Sequence, residues 1–368
     1  MPTQKKDLDI ALATENIKNL EKNDIILASY LGSGSSLIGG ILIELGLDYI
    51  EGYQEKISPK KQQTEVVLPL WRKHWKQLDT KYNTDSLKEL RFFKTHFYPE
   101  SYVNAKPNTA VLLIRDARDA VISYYNWRKG FSDETGTLSD FLNTYGYYGK
   151  KPFNDWASYI EEWLRWGNEP NHKLYLIKYE DLKFNPEKTI KKLLKFFNIK
   201  RTKEQISRAV ENSRFSKIKN EEIKFLKNKN QPRIFRKGLV GEWRTTLSSK
   251  DLNLIEPQTS KLLKKYHYIE TNPKKFQAFN HWFIGYNAST EKHIRNILEK
   301  GEKAALITLE QKCPINTQNP NFLLIKSAFQ PRFLDFISGT IYVSSSNEEI
   351  LKAVENIAQI NGSKLRYI

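Results

Sequence analysis

Residues 24–45 read DIILASYLGSGSSLIGGILIEL, and the succession in this stretch of strand, glycine–serine loop and helix decides the fold class. Ile25, Ile26, Leu27 and Ala28 form the short unbroken apolar run of a strand buried on both faces, and a helical apolar pattern begins near Leu37. Between them lie Gly32, Ser33, Gly34, Ser35 and Ser36. Two glycines let the backbone turn tightly with its N–H groups inward, the serines add hydroxyl donors, and the helix that follows aims its positive end at the same spot. That is an anion cradle, most often for phosphate; a tight turn with no ligand satisfies the same residues. It is not the G-x-x-x-x-G-K-[ST] loop, since Ser35, Ser36 and Leu37 follow Gly34 where a lysine is required.

The whole chain narrows the choice of ligand. Its 368 residues suit two domains, an α/β core with an appendage. With 59 Lys and Arg against 42 Asp and Glu the formal charge is +17, which favours anionic ligands. From Glu270 onward there are twelve basic and nine acidic residues, a surplus of three, so most of the excess and the anion binding belong to the N-terminal part. The single cysteine, Cys313, excludes an internal disulfide and a cysteine-rich zinc site, and is expected to be a small buried apolar residue. The N-terminal segment lacks the unbroken apolar core and cleavage site of a signal peptide, and the longest apolar stretch, 37–47, is too short to span a bilayer and contains Glu44. The expectation is a soluble cytoplasmic protein with no transmembrane segment.

Further strands are expected at 90–95, running into His96, at 109–114, running into Arg115, and at 173–178. Helices are expected at 120–128, 138–145, 155–166, 186–197 and 250–266, the last bent or restarted at Pro257. Apolar strands alternating with helices make a parallel sheet, whose ligands bind at the carboxyl ends of the strands. The glycine–serine loop, His96 and Arg115 all fall there. Trp71 and Trp75, four apart, share a helix face and suit core packing. A boundary is expected at 271–273, followed by strands at 281–286, 304–309, 322–326, 340–344 and 365–368 and helices at 290–299 and 347–359. The division is thus a domain of residues 1–270 and a small α/β accessory domain of residues 271–368.

Four separated segments carry a family resemblance. Arg115–Asp116–Ala117–Arg118–Asp119 through Ser123–Tyr124–Tyr125 is similar to R-N-x-K-D-x-x-x-S-Y-Y, and Arg236–Lys237–Gly238–Leu239–Val240–Gly241–Glu242–Trp243 to R-K-G-x-x-G-D-W. Lys94–Thr95–His96 matches K-T-H, and Tyr179–Glu180–Asp181–Leu182 matches Y-E-D-L. In this order, over roughly residues 20–268, they resemble the cytosolic type of sulfotransferase. That family transfers a sulfonate from 3′-phosphoadenosine-5′-phosphosulfate (PAPS) to an alcohol, phenol or amine, leaving the bisphosphate PAP. The resemblance implies a P-loop-like three-layer α/β fold with a central parallel sheet, a nucleotide-binding site and no metal.

By this likeness Gly32, Ser33, Gly34, Ser35 and Ser36 hold the 5′-phosphosulfate. Arg115 and Ser123 take the 3′-phosphate, closed over by Arg236, Lys237 and Gly238, while Tyr179, Ser213 and Phe215 meet the adenine. The residue types agree: a guanidinium fork and a hydroxyl eight residues on, two helical turns, reach one phosphate together. An ion pair of Arg115 with Asp116 or Asp119 is the plainer alternative. His96 is the expected general base, because imidazole titrates in the range needed to take the acceptor's proton, and Lys94 is the cation beside the transferring group. The partner is a small-molecule acceptor, partly apolar; no nucleic acid is expected. The chain departs from the family's T-Y-P-K-S-G-T-T-W loop at two positions, with Gly32 for the lysine and Leu37 for the tryptophan. Either Lys94 or another nearby cation takes over the lysine's part, or the protein binds PAP or PAPS and transfers slowly or not at all, in a regulatory or scaffolding role.

Overall fold

The computed structural model describes residues 2–53, 90–131, 136–146, 149–226, 235–270, 276, 278–308, 313–327 and 329–368. The tryptophan pair at 71 and 75 lies outside the described residues.

In chain order the N-terminal elements are α1 (Pro2–Lys18), β1 (Ile25–Ser29), α2 (Ser35–Glu44), β2 (Asp48–Glu51), β3 (Arg91–Thr95), β4 (Thr109–Ile114), α3 (Ala117–Phe131), α4 (Leu138–Asn143), α5 (Pro152–Gly167), β5 (Lys173–Lys178), α6 (Tyr179–Phe184), α7 (Pro186–Phe196), α8 (Lys203–Asn212) and α9 (Phe215–Leu226). There follow α10 (Trp243–Thr246), α11 (Ser249–Leu252) and α12 (Pro257–Lys265). The helix expected over 250–266 is two pieces, with the restart at Pro257, whose ring suits a first helical position.

The first sheet runs β2-β3-β1-β4-β5, every pair parallel. The all-apolar strands take its centre: β1 and the last five residues of β4 are buried throughout, because central strands are covered on both faces. The chain leaves β1 towards β2 and β3 on one side and reaches β4 and β5 on the other, so the strand order reverses at β1. The crevice beyond its carboxyl end is where such sheets bind ligands. Pairing aligns Ala28 with Thr95 and with Leu112, and Ile114 with Lys178, so the loop after β1, His96, Arg115 and Tyr179 share one rim.

Helix α5 braces that rim. Phe153, Trp156, Tyr159, Ile160 and Trp163 recur at helical spacing and are all buried. Two of its indoles donate to functional strand ends: Trp156 Nε1–H to the Arg115 carbonyl (3.1 Å) and Trp163 Nε1–H to the Phe97 carbonyl (3.2 Å).

The second sheet holds β6 (His281–Ile284), β7 (Ala304–Thr308), β8 (Phe322–Lys326), β9 (Thr340–Val343) and β10 (Lys364–Tyr367) in the order β10-β9-β6-β7-β8, again all parallel. Its helices are α13 (Ala288–Glu299) and α14 (Glu348–Asn361). Phe283, Ile294, Leu306 and Tyr342 lie at its core, with Phe283 stacked on Tyr342 at 4.4 Å. Cys313 packs against this core only partly buried. The chain forms two compact units, one of Met1–Leu182, Pro186–Gly238 and Ser249–Thr259, the other of Lys183–Asn185, Leu239–Ser248 and Ser260–Ile368.

Candidate active site

The loop after β1 has its shape because two of its residues lack side chains. Gly32 and Gly34 have φ of +79° and +94°, the left-handed region that costs other residues strain. A Cβ on Gly32 would lie 2.4 Å from the Ala120 carbonyl oxygen and 3.0 Å from Ser123 Cβ, so the loop lies directly on α3 and Ser123 stands beside it. A Cβ on Gly34 would lie 2.4 Å from the Tyr179 ring. The Ser33 N–H donates to the Tyr30 carbonyl (3.1 Å), and the Leu37 and Ile38 N–H groups of α2 both donate to the Gly34 carbonyl (3.0 and 3.4 Å). The Ser33 hydroxyl is buried and meets no partner among the described residues. A side chain at position 32 would enter the backbone of α3.

Tyr179, at the end of β5, gathers the other anion-binding candidates. Its ring fills the space left by Gly34, carries the Arg115 guanidinium at 4.4 Å, and its hydroxyl donates to the Gly238 carbonyl (3.4 Å). Arg115 Nη1 also donates to the Gly32 carbonyl (2.9 Å). Asp116 is engaged otherwise, bidentate with Arg118 at 2.9 and 2.6 Å. Gly238 has φ of +60°, and a Cβ there would strike the Phe215 ring at 2.3 Å. Two residues before Phe215, the Ser213 hydroxyl is buried with no partner among the described residues. Arg236 is half-buried and Lys237 exposed. A continuous run of contacts therefore joins Gly32, Ser123, Arg115, Tyr179, Gly34, Gly238 and Phe215. Glu180, next to Tyr179, accepts from the Asp116 N–H (3.1 Å), and burial pushes its carboxyl up to about 7.

On the other side of β1 stands His96. Its Nδ1–H donates to the Ser29 carbonyl (2.7 Å). A carbonyl oxygen only accepts, so the proton sits on Nδ1 and Nε2 presents its lone pair. Burial, with Lys94 as the next cause, pulls the imidazole down to about 4, so the ring is neutral at physiological pH. The His96 N–H donates to the Tyr53 hydroxyl (2.8 Å), and the Tyr53 ring stacks on the imidazole at 5.8 Å. Lys94 pairs with Glu51 at 2.8 Å, its side chain 12% and that of Glu51 4% exposed. The remaining described histidines have other partners: His172 stacks on Trp166 at 4.0 Å, His281 meets Glu302, His293 the Ser289 carbonyl and His267 Arg332.

Sequence reading missed β2, and with it Glu51 and Tyr53. The strand has four residues, and its final glutamate looks like solvated polar sequence until β3 is laid beside it. Trp156 and Trp163, seven apart on one helix face, were the legible sign of α5's bracing role. Among the described residues no helix is long and apolar enough to cross a membrane, and no cluster of His, Cys, Asp and Glu is arranged to hold a metal.

The family model described as "Sulfotransferase domain" matches residues 22–267. Mouse sulfotransferase 1A1 is 28% identical over 49% of this chain, and human sulfotransferase 1E1 is 25% identical over 60% of it. The matches span 66% and 77% of those two relatives, and 57% of rat sulfotransferase 1A1. Among solved structures, the crystal structure of mouse sulfotransferase SULT7A1 complexed with PAP is similar in fold, with TM-score 0.50, 19% identity, and coverage of 72% of this chain and 94% of that one.

Proposed function

As this chain belongs to the sulfotransferase domain family, we propose that it transfers a sulfonate group from PAPS to a hydroxyl or amine of a small, partly apolar acceptor, releasing PAP. The observation that carries the reading is the His96 tautomer. A neutral imidazole with its proton held on Nδ1 by the Ser29 carbonyl offers Nε2 as a base at the rim where the glycine–serine loop ends. The acceptor's proton passes to Nε2, its oxygen or nitrogen attacks sulfur, and the bond from sulfur to the 5′-phosphate oxygen breaks in line. His96 then returns the proton to solvent.

The donor in this reading lies along the contact run. The loop from Gly32 to Ser36 takes the phosphosulfate, and the orphaned Ser33 hydroxyl gains an acceptor there. Arg115, Ser123, Arg236, Lys237 and Gly238 take the 3′-phosphate. Tyr179, Ser213 and Phe215 border the adenine, where the orphaned Ser213 hydroxyl is satisfied. An anion bound beside the imidazole raises its basicity from the low ligand-free value, which suits proton uptake during transfer. Lys94 stands as the cation facing the sulfonate in place of a loop lysine. The chemistry stays within residues 1–270, in the cytoplasm, and residues 271–368 act as an accessory domain.

The test is to incubate protein, PAPS and a panel of phenols, alcohols and amines, and to measure PAP by chromatography. PAP forms with a true acceptor, and His96→Ala abolishes turnover while PAP binding persists. Turnover in His96→Ala equal to the parent removes His96 as base; tight PAP binding with no product across the panel removes the transfer reading.

A further inference from the structure

The buried ion pair beside the proposed base carries a consequence for how the cation works. In the parallel pairing of β2 with β3, Glu51 lies directly opposite Lys94. Their side chains emerge on one face, and His96, just after the last residue of β3, feels the charges of both. Lys94 Nζ donates to Glu51 Oε2 at 2.8 Å, and the Tyr49 hydroxyl donates to Oε1 at 3.0 Å, so both carboxylate oxygens are held. A lysine ammonium on its four-carbon stem otherwise samples many rotamers. A buried pair of this kind contributes little net stability, because desolvation offsets the attraction.

We propose that Glu51 is a positioning residue of the transfer site: it fixes the Lys94 ammonium at the sheet rim beside His96, so the cation is already in place when charge shifts on the transferring group. The inference rests on the sulfonate-transfer reading. Position 32 has no room for a side chain, so a cation for that charge comes from elsewhere on the rim; Lys94 on β3 acts on the His96 imidazole, and a cation that must stabilise a transition state works best when already oriented. Among the described residues, the charged and titratable groups facing the imidazole are Lys94 from β3, Glu51 from β2 and the Tyr53 hydroxyl from the turn after β2.

Four variants of the full chain test this: Glu51→Gln, Glu51→Asp, Lys94→Met and the double Glu51→Gln/Lys94→Met. Glu51→Gln lowers kcat about tenfold or more while PAP affinity stays within about threefold, and Glu51→Asp recovers part of the loss. The double variant is no slower than Lys94→Met alone, because Glu51 acts only through the lysine. In parallel, NMR titration of His96 moves to lower pH in Glu51→Gln, where the cation is uncompensated, and to higher pH in Lys94→Met. If the kcat losses multiply in the double variant, or the His96 titration is unmoved in Glu51→Gln, the proposal is overturned. If Glu51→Gln alone does not fold, Glu51→Asp carries the comparison with its kcat loss at unchanged PAP affinity. Absence of product from the parent protein sinks the transfer reading instead, and comparing the His96 titration of the double variant with that of Lys94→Met then separates Glu51's direct charge effect from its effect through the lysine.

Discussion

Restoring a lysine at position 32 tests whether its absence is steric or incidental. Gly32 has φ of +79°, and a residue with a Cβ pays about 1–2 kcal/mol there. The Cβ would also stand 2.4 Å from the Ala120 carbonyl oxygen, a backbone atom of α3 that no rotamer change can move. Relief requires the loop or the helix to shift, at about 1–3 kcal/mol for overpacking. Together the loss is about 2–5 kcal/mol, or about 4–20 °C in Tm at about 2–4 °C per kcal/mol. Gly32→Lys and Gly32→Ala should therefore lose similar stability in thermal and urea unfolding, because the Cβ and the backbone angle cause the loss. PAP affinity should fall in both, since the same shift displaces Ser33 and Ser123. The reasoning is refuted if Gly32→Lys unfolds at the parent temperature and forms PAP faster than the parent: the loop would then have room for the side chain.

Burial holds His96 near 4, below its ordinary value, so kcat/KM should stay flat on acidification well below the usual histidine range before its acid limb appears. For the same reason the native state binds fewer protons than the unfolded chain, and the His96 contribution to stability should decline as pH falls from about 6.5 towards 4, which parallel unfolding of His96→Gln isolates. Glu180 is the opposite case: with its carboxyl raised to about 7, folding loses stability as pH rises through that value, so Glu180→Gln should gain in Tm over the parent between pH 5 and pH 8. Ser213→Ala and Ser33→Ala each remove a buried orphan hydroxyl, so each should raise ligand-free stability by about 1 kcal/mol and weaken PAP binding several-fold by calorimetry. Unchanged PAP affinity would place those hydroxyls away from the nucleotide.

Much of the fold was legible because its signals are local. The strands at 109–114 and 173–178 have the bounds expected from their apolar runs, and β1 exceeds its expected run by one residue, Ser29. Helix α3 begins at Ala117, three residues earlier than its apolar pattern suggested, because a helix's first turn follows from backbone geometry and Asp119 suits its positive end. The short strand β2 left no comparable trace. Glu51 and Lys94 are 43 residues apart, and only strand pairing makes them neighbours.

The sequence alone determined the alternation of strands and helices, the carboxyl-end position of the loop, His96 and Arg115, and the residue types that can grip a phosphate. Each depends on neighbours within a few residues, where periodicity and turn chemistry suffice. Only the tertiary structure decided which nitrogen of His96 keeps its proton, why position 32 excludes a side chain, what Lys94 pairs with and how Tyr179 ties the two loops together. Those depend on the distance between segments remote in sequence, which sheet pairing and helix packing set.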